Sequence, residues 1–192
     1  GYMGLTGNGT AAAIRDQTVT VGANANIQHA LRIVIERGPV VVRVGTGTTD
    51  DSYINETELG TGYHSLSFTP TGDFNIRFLS RLKRQVLVNG CTIEAAGVMS
   101  LPTPYAAGDL QYIRAGTESQ SADVLFVACR SYTQRRIERR NASSYSIVQY
   151  VANDGPLRAE NIGPTTITPS ALTGNVTLTA SAPLFRSTHA PS

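Results

Sequence analysis

The sequence contains no tryptophan, one lysine among its 16 basic residues, and two cysteines in 192 residues. Two thiols provide no disulfide framework, which excludes a disulfide-stapled scaffold, and we expect Cys91 and Cys129 to be reduced and buried. No apolar run approaches the roughly 20 residues that a membrane helix requires. The formal charge of +2 is too small to predict nucleic acid binding by the chain as a whole.

The chain is instead rich in short alternating stretches separated by turn residues. Residues 18–21 and 29–36 alternate apolar and polar side chains, which is typical of strands with one buried face. Further predicted strands are Val40–Val44, Tyr53–Glu58, Tyr63–Thr69, Asp73–Leu79, Arg84–Asn89 and Cys91–Ala95. The last two flank Asn89-Gly90, a strong hairpin signal. This spacing, without an intervening helix, predicts an antiparallel β-sandwich, with the jelly roll as the natural candidate.

The character of the sequence changes after residue 97. Residues 106–114 are the only predicted helix, with Leu110 and Ile113 three positions apart. Three strands follow in the prediction: Asp123–Cys129, Gln134–Arg140 and Tyr145–Val151. So small a meander rarely stands alone, so it suggests part of a propeller-like blade. Residues 175–181 are the last predicted strand.

These patterns predict a mainly β protein in four parts. An N-terminal arm or edge segment covers residues 1–17, and the jelly-roll sandwich covers residues 18–98. The short helix and the meander occupy residues 99–157. Residues 158–192 form a C-terminal loop and strand, which could begin a further domain. Because of the residues at both ends, we expect the chain to be a fragment of a longer protein.

The sequence carries no recognisable catalytic or phosphate-binding motif. His29 and His64 each lie within a strand pattern, where a structural or surface role is expected. Glu56 and Glu58 share one face of a predicted strand, which makes them the nearest candidates for the carboxylate pair of a hydrolase. They stand in no recognisable context, so we predict that the chain is not an enzyme.

One loop concentrates side-chain oxygens. Asp50, Asp51 and Asn55 lie close to Glu56 and Glu58. Calcium takes six to eight oxygen ligands, but no ordered ligand spacing is visible, so the sequence favours a solvated acidic loop over a calcium site and predicts no cofactor.

The same loop also offers a carbohydrate-binding set. Tyr53 and Tyr63 could stack on a sugar ring while Asp50, Asp51 and Asn55 bind its hydroxyl groups. The absence of tryptophan counts against this alternative.

The densest charge run is residues 135–140, in which Arg135 and Arg139 share one strand face while Arg136 and Arg140 share the other. The alternatives are an exposed edge protected by charge, a subunit interface, or a contact with phosphates supported by neighbouring tyrosines. We favour the edge or the interface, and nucleic acid is not the expected partner.

Residues 101–157 resemble a segment of bacteriophage tail proteins. The shared pattern is Pro104-Tyr105, then Asp109-Leu110, then a Gln-Ser-Ala-Asp-Val stretch that enters the hydrophobic strand at residues 120–127. Tyr132 and the basic pair Arg135-Arg136 follow. The family is that of tail tubular, or nozzle, proteins of short-tailed phages and related prophage proteins. Residues 59–72 separately resemble a galactose-binding-type jelly roll.

The resemblance implies a role in virion assembly. Family members are built as β-propellers with added β domains, arranged as a ring around the DNA exit channel. By this resemblance, the chain is a structural part of a phage tail, made in the bacterial cytoplasm and located in the virion. Its partners would be other tail subunits in a homo-oligomeric ring, and the alternative is a module that binds a host glycan. Neither the host nor the ring stoichiometry follows from the sequence.

Overall fold

A computed structural model describes residues 1–116, 120–152 and 164–184, and these residues are mainly β. The strands are β1 (Met3–Leu5), β2 (Ala13–Val19), β3 (His29–Arg37), β4 (Val40–Gly45), β5 (Ile54–Leu59), β6 (Gly62–Phe68), β7 (Phe74–Ser80), β8 (Val86–Ile93), β9 (Gln120–Ser121), β10 (Val124–Val127), β11 (Arg135–Asn141), β12 (Ser144–Gln149), β13 (Ile167–Pro169) and β14 (Leu178–Ala180). Short 3-10 helices lie at Gly22–Asn24 and Ala107–Tyr112. The latter replaces the longer helix predicted at residues 106–114.

The first eight strands form two antiparallel sheets with jelly-roll connectivity. One sheet begins β1-β8-β3-β6, and the other is β2-β7-β4-β5. The core between them is made by the alternate apolar residues of both sheets, as period-two burial requires. Buried members include Leu31, Ile33, Ile35, Val40, Val42, Val44, Leu66, Phe68, Phe74, Ile76 and Phe78. The predicted antiparallel sandwich is confirmed.

The meander continues the larger sheet. β12 pairs with β6, with Tyr145 opposite Ser65 and Val148 opposite Gly62. Strands β11, β10 and β9 then follow outward, so the large sheet has eight strands against four in the small sheet. The predicted strands of residues 123–151 therefore exist, but they are joined to the sandwich through a shared sheet.

Of the two predictions for residues 1–17, the edge segment matches the structure: these residues contribute β1 and most of β2, which are edge strands of the two sheets. The sandwich therefore begins well before the predicted residue 18. The predicted hairpin at Asn89-Gly90 is wrong, because β8 runs straight through it. β8 pairs with β3 on both sides of Asn89, which is accommodated as a bulge between Val88 and Gly90.

The two cysteines lie in different environments. Cys129 is buried as predicted, whereas Cys91 is exposed, and neither forms a disulfide. Chain contacts divide the protein into two units, residues 1–153 and residues 154–192. Within the second unit, β13 and β14 form a two-stranded antiparallel hairpin.

Candidate functional site

Asp50 and Asp51, the two aspartates of the predicted carbohydrate-binding set, stabilise their own loop. The Asp50 carboxylate accepts hydrogen bonds from the Thr46 amide at 2.6 Å and from the Ser52 hydroxyl at 2.6 Å. The Ser52 bond, followed by the Thr46 bonds, lowers the pKa of Asp50 to about 2. The Asp51 carboxylate accepts from the Glu56 amide at 3.0 Å. Both side chains thus close the connection between β4 and β5.

The two tyrosines of that predicted set lie against opposite faces of the large sheet. The Tyr53 hydroxyl lies 2.8 Å from the Thr71 hydroxyl, and its ring packs 6.3 Å from Phe68. Tyr63 alternates with the core-facing His64, so it projects from the outer face. There the Arg135 guanidinium lies 6.0 Å from the centre of its ring. The structure does not bring the predicted set together.

Two members of that set, Tyr53 and Asn55, do line a common groove. This junction groove has a volume of about 510 Å³ and lies between β5, β6 and the β11–β12 turn. Its lining residues are Tyr53, Ile54, Asn55, Thr57, Leu66, Ser67, Arg140, Asn141 and Ser144. Amides, hydroxyls and one guanidinium therefore surround a space large enough for a small polar ligand.

The arginine run does not form a sheet edge. β11 is paired with β12 on one side and with β10 on the other, so the prediction of a charge-protected edge is wrong. Arg139 is half exposed and lies 3.6 Å from Asp123. Arg136 and Arg140 share the opposite face, where both pair with Glu138, at 2.6 and 2.8 Å respectively.

Arg140 belongs to a partly buried polar network that joins the meander to the sandwich. Its Nε donates to the Ser146 hydroxyl at 2.7 Å, and that hydroxyl lies 2.8 Å from Nδ1 of His64. The Arg140 guanidinium also donates to the Thr57 hydroxyl of β5 at 3.2 Å. One side chain therefore connects strands of both sheets.

The geometry assigns the tautomer of His64. Its Nε2 lies 3.0 Å from the Gly60 carbonyl, which can only accept, so Nε2 carries the proton. Nδ1 then accepts from the Ser146 hydroxyl. His64 and Ser146 are both completely buried, so no substrate reaches this Ser–His contact, and its role is structural.

Burial makes His64 sensitive to acid. Burial is the main cause that lowers the pKa of His64 from 6.5 to about 4; the Gly60 bond opposes it, and the charge of Arg140 adds a smaller lowering. The unfolded chain therefore takes up a proton at a higher pH than the folded chain, and stability falls as pH drops from 6.5 toward 4.

We expect the free energy of unfolding to fall by about 2 kcal/mol between pH 7 and pH 5 because of this group. Urea unfolding across that range measures the loss. The His64→Gln variant should be less stable at pH 7 but should lack this part of the pH dependence. An unchanged pH dependence in that variant would contradict the assignment.

The meander also carries a partly exposed aromatic surface. Phe126 lies opposite Arg136 in the β10–β11 ladder, so it shares the face of Glu138 and His64. It packs edge-to-face against Tyr150, with the ring centres 5.4 Å apart, and is 37% exposed. We call Phe126, Tyr150, Gln134 and Arg136 the aromatic patch. A hollow of about 550 Å³ adjoins it, bordered by Arg114 and Arg135.

The carboxylates considered for a hydrolase or a calcium site do not line the junction groove or the hollow beside the aromatic patch. Glu56 and Glu58 are exposed, Glu56 pairs with Arg43 at 3.1 Å, and neither lines the junction groove. Within residues 1–116, 120–152 and 164–184, no group of three or more His, Cys, Asp or Glu side chains could hold a metal ion.

Sequence reasoning missed the role of Glu138 and Ser146. The sequence signal that could have revealed this role is the presence of polar residues at core-facing strand positions, because a buried polar side chain needs a hydrogen-bonding partner. His64, Ser144 and Ser146 all occupy such positions.

Comparison of the chain with protein-family models, with curated proteins and with solved structures gives no match in any of the three. No helix in the described part of the chain is both long and apolar enough to cross a membrane.

Proposed function

We propose that this chain is a non-enzymatic structural component of a bacteriophage tail that acts through contacts with other tail subunits. The observation that carries the proposal is the aromatic patch. It is part of the segment whose sequence resembles phage tail proteins, and it is only partly covered by its own fold. Its location is then the virion, after synthesis in the bacterial cytoplasm.

The large sheet has eight strands against four in the small sheet, so among the described residues its outer strands have no facing strand in the small sheet. The small sheet ends at β5, whose Thr57 hydroxyl accepts a hydrogen bond from Arg140. Phe126 and Tyr150 thus offer aromatic area beside an arginine, which is the composition enriched at protein–protein contacts. A patch on one subunit that meets a different surface on the next generates a ring when the rotation closes.

The test is the mass of the purified chain in solution. We expect light scattering over a wide concentration range to show an oligomer. Phe126→Glu should raise its dissociation constant by about 30-fold, since a central aromatic contact contributes roughly 2 kcal/mol or more. The matched control is Ile14→Glu, which places the same charge at an exposed apolar position of β2 and should leave the oligomer intact.

Two results would contradict this role of the patch. One is a monomer at every concentration, which would place the assembly contacts outside this chain. The other is equal weakening by both variants, which would indicate a general effect of charge.

The junction groove favours a second candidate, binding of a host glycan. The groove places Asn55 and Asn141 beside Arg140 and the Tyr53 ring, and these groups can bind sugar hydroxyls. On a glycan array, Asn55→Ala should abolish any signal while Tyr63→Ala, on the other sheet face, should not. A blank array with the unmodified chain would remove this candidate.

A hydrolytic tail enzyme has less support. The exposed Glu56 and Glu58 do not line the junction groove, and the buried Ser146–His64 contact is closed to substrate.

A further inference from the structure

The junction groove lies beside an excess of positive charge. Glu138 pairs with both Arg136, at 2.6 Å, and Arg140, at 2.8 Å, so one carboxylate meets two guanidinium groups. Among the described residues, no Asp or Glu side chain lines the groove itself. A concave site with a cation and no carboxylate in its wall favours an anionic ligand over a neutral one.

Arg140 retains an uncommitted donor at this site. Its Nε donates to the Ser146 hydroxyl, and its Nη2 donates to the Glu138 carboxylate and the Glu58 carbonyl. Its Nη1 carries two N–H groups. One of them donates to the Thr57 hydroxyl at 3.2 Å, and the other has no acceptor within the described residues. Because Arg140 and Thr57 both line the groove, this N–H is available to a ligand there.

The other bonds of the lining also leave hydrogens rather than lone pairs for a ligand. The Thr57 hydroxyl accepts the guanidinium bond, so its own hydrogen is free to donate. Asn141 Oδ1 accepts from the Ser143 amide at 2.8 Å, which leaves its NH₂ group as a donor. The hydroxyls of Ser67 and Ser144 lie 3.1 Å apart, and whichever donates to the other, one hydroxyl hydrogen remains.

The rest of the lining suits a sugar ring. Tyr53, Ile54 and Leu66 add apolar surface to the wall. The Tyr53 hydroxyl is engaged with the hydroxyl and the amide of Thr71, at 2.8 and 3.1 Å. The Asn55 carboxamide is exposed and can both donate to and accept from a sugar hydroxyl. The volume of about 510 Å³ exceeds what a bare inorganic anion would fill.

We propose that the junction groove binds a sugar that carries a carboxylate, such as a uronic acid residue of an acidic polysaccharide. An ionised carboxylate only accepts hydrogen bonds, which matches the uncommitted donors of Arg140, Thr57 and Asn141. Hydrogen bonds between a guanidinium and a carboxylate are also stronger than bonds between neutral groups. This inference rests on the glycan candidate for the same groove and is independent of the tail assignment.

The test titrates the full ¹⁵N-labelled chain with tri-galacturonic acid and with its methyl ester, followed by NMR. The ester has the same rings without the charges, so it isolates the effect of the carboxylates. We expect saturable shifts of the side-chain amide signals of Asn55 and Asn141 with the acid. The ester should bind at least about tenfold more weakly, because charge-assisted hydrogen bonds are then lost.

An isosteric substitution places a negative charge in the groove. Asn141→Asp keeps the oxygen that accepts the Ser143 amide bond, and it should weaken binding of the acid by at least about tenfold through like-charge repulsion. The matched control is Asn8→Asp. Asn8 is exposed, lies outside the groove, and accepts the Thr10 amide in the same way, so this variant should bind normally. If Asn141→Asp does not give a folded spectrum, Asn55→Asp provides the same test.

The outcomes separate this inference from the glycan candidate. Equal binding of the acid and the ester would overturn the carboxylate and leave the glycan candidate standing. No binding of either up to about 10 mM would overturn both. Acetate that binds as tightly as tri-galacturonic acid would reduce the site to a general anion site and overturn the sugar. Shifts confined to signals outside the groove, or equal weakening by the two aspartate variants, would also overturn the proposal.

Discussion

Replacing Gly62 by alanine should unfold the junction between the jelly roll and the meander. Gly62 has φ +149°, and an added Cβ would lie 2.1 Å from the Ile147 carbonyl oxygen and 2.8 Å from Cα of Val148. Both contacts are with the backbone of β12, which cannot move without breaking its pairing with β6. Backbone strain and overpacking together should cost about 4 kcal/mol.

Thermal unfolding provides the measurement. For a chain of this size, that loss should lower the melting temperature by roughly 10 °C. Gly60→Ala is a close control, because its added Cβ would make only ordinary contacts, 3.9 Å from the Val148 side chain. Hydrogen exchange in Gly62→Ala should rise first in β11 and β12. Equal stability of the two variants would show that the β6–β12 contact is not as close as described.

Replacing Arg140 by leucine should be nearly as damaging. The change removes the donors that reach Ser146 and Thr57, and it leaves Glu138 with Arg136 as its remaining charged partner. Removal of one member of this partly buried ion pair leaves the fully buried Ser146 hydroxyl and the partly buried Glu138 carboxylate without their donor. We expect a loss of about 3 kcal/mol in the free energy of unfolding.

The neighbouring residue offers the matched control. Arg139 is 54% exposed and lies 3.6 Å from an exposed Asp123 carboxylate. Arg139→Leu should therefore change stability by about 0.5 kcal/mol or less. Urea unfolding of both variants separates the two cases. If the two substitutions cost the same, the network around Arg140 does not hold the meander to the sandwich.

Alternation of apolar residues was sufficient to predict most of the sandwich strands. It worked for β3 and β4 because the residues that fill the core from these strands are apolar and at most 1% exposed: Leu31, Ile33, Ile35, Val40, Val42 and Val44. It failed at Asn89-Gly90, where local turn preference competes with a long partner strand. Pairing of β8 with β3 along its length outweighed that preference, and a bulge accommodated the extra residue. The pairing partner lies far away in sequence, so no local pattern could reveal it.

The candidate site was predicted less well, because closeness in sequence does not determine the direction of a side chain. Asp50 and Tyr53 lie three residues apart in sequence, yet their side chains point to different places. The Asp50 carboxylate bonds within its own loop, whereas the Tyr53 hydroxyl lies beside the Thr71 hydroxyl. Tyr63 projects from the other sheet face. Tyr53 and Asn55 do line the junction groove, but Arg140 and Asn141 enter it from a hairpin far along the chain.

The arginine run shows the same limitation. The sequence correctly placed Arg135 and Arg139 on one strand face and Arg136 and Arg140 on the other. It could not show that β11 has neighbours on both sides. Nor could it show that Glu138 pairs with both Arg136 and Arg140.

The pairing of β6 with β12 has a consequence for synthesis on the ribosome. All strands of the jelly roll are present once Ile93 has emerged, whereas β12 begins only at Ser144. Because chains fold progressively as they are made, the sandwich can form while the edge of β6 still awaits its neighbour. During that interval a nascent chain exposes a seven-residue template to other chains. We therefore expect slow translation between Ile93 and Ser144 to promote misassembly, with β12 of one polypeptide pairing with β6 of another.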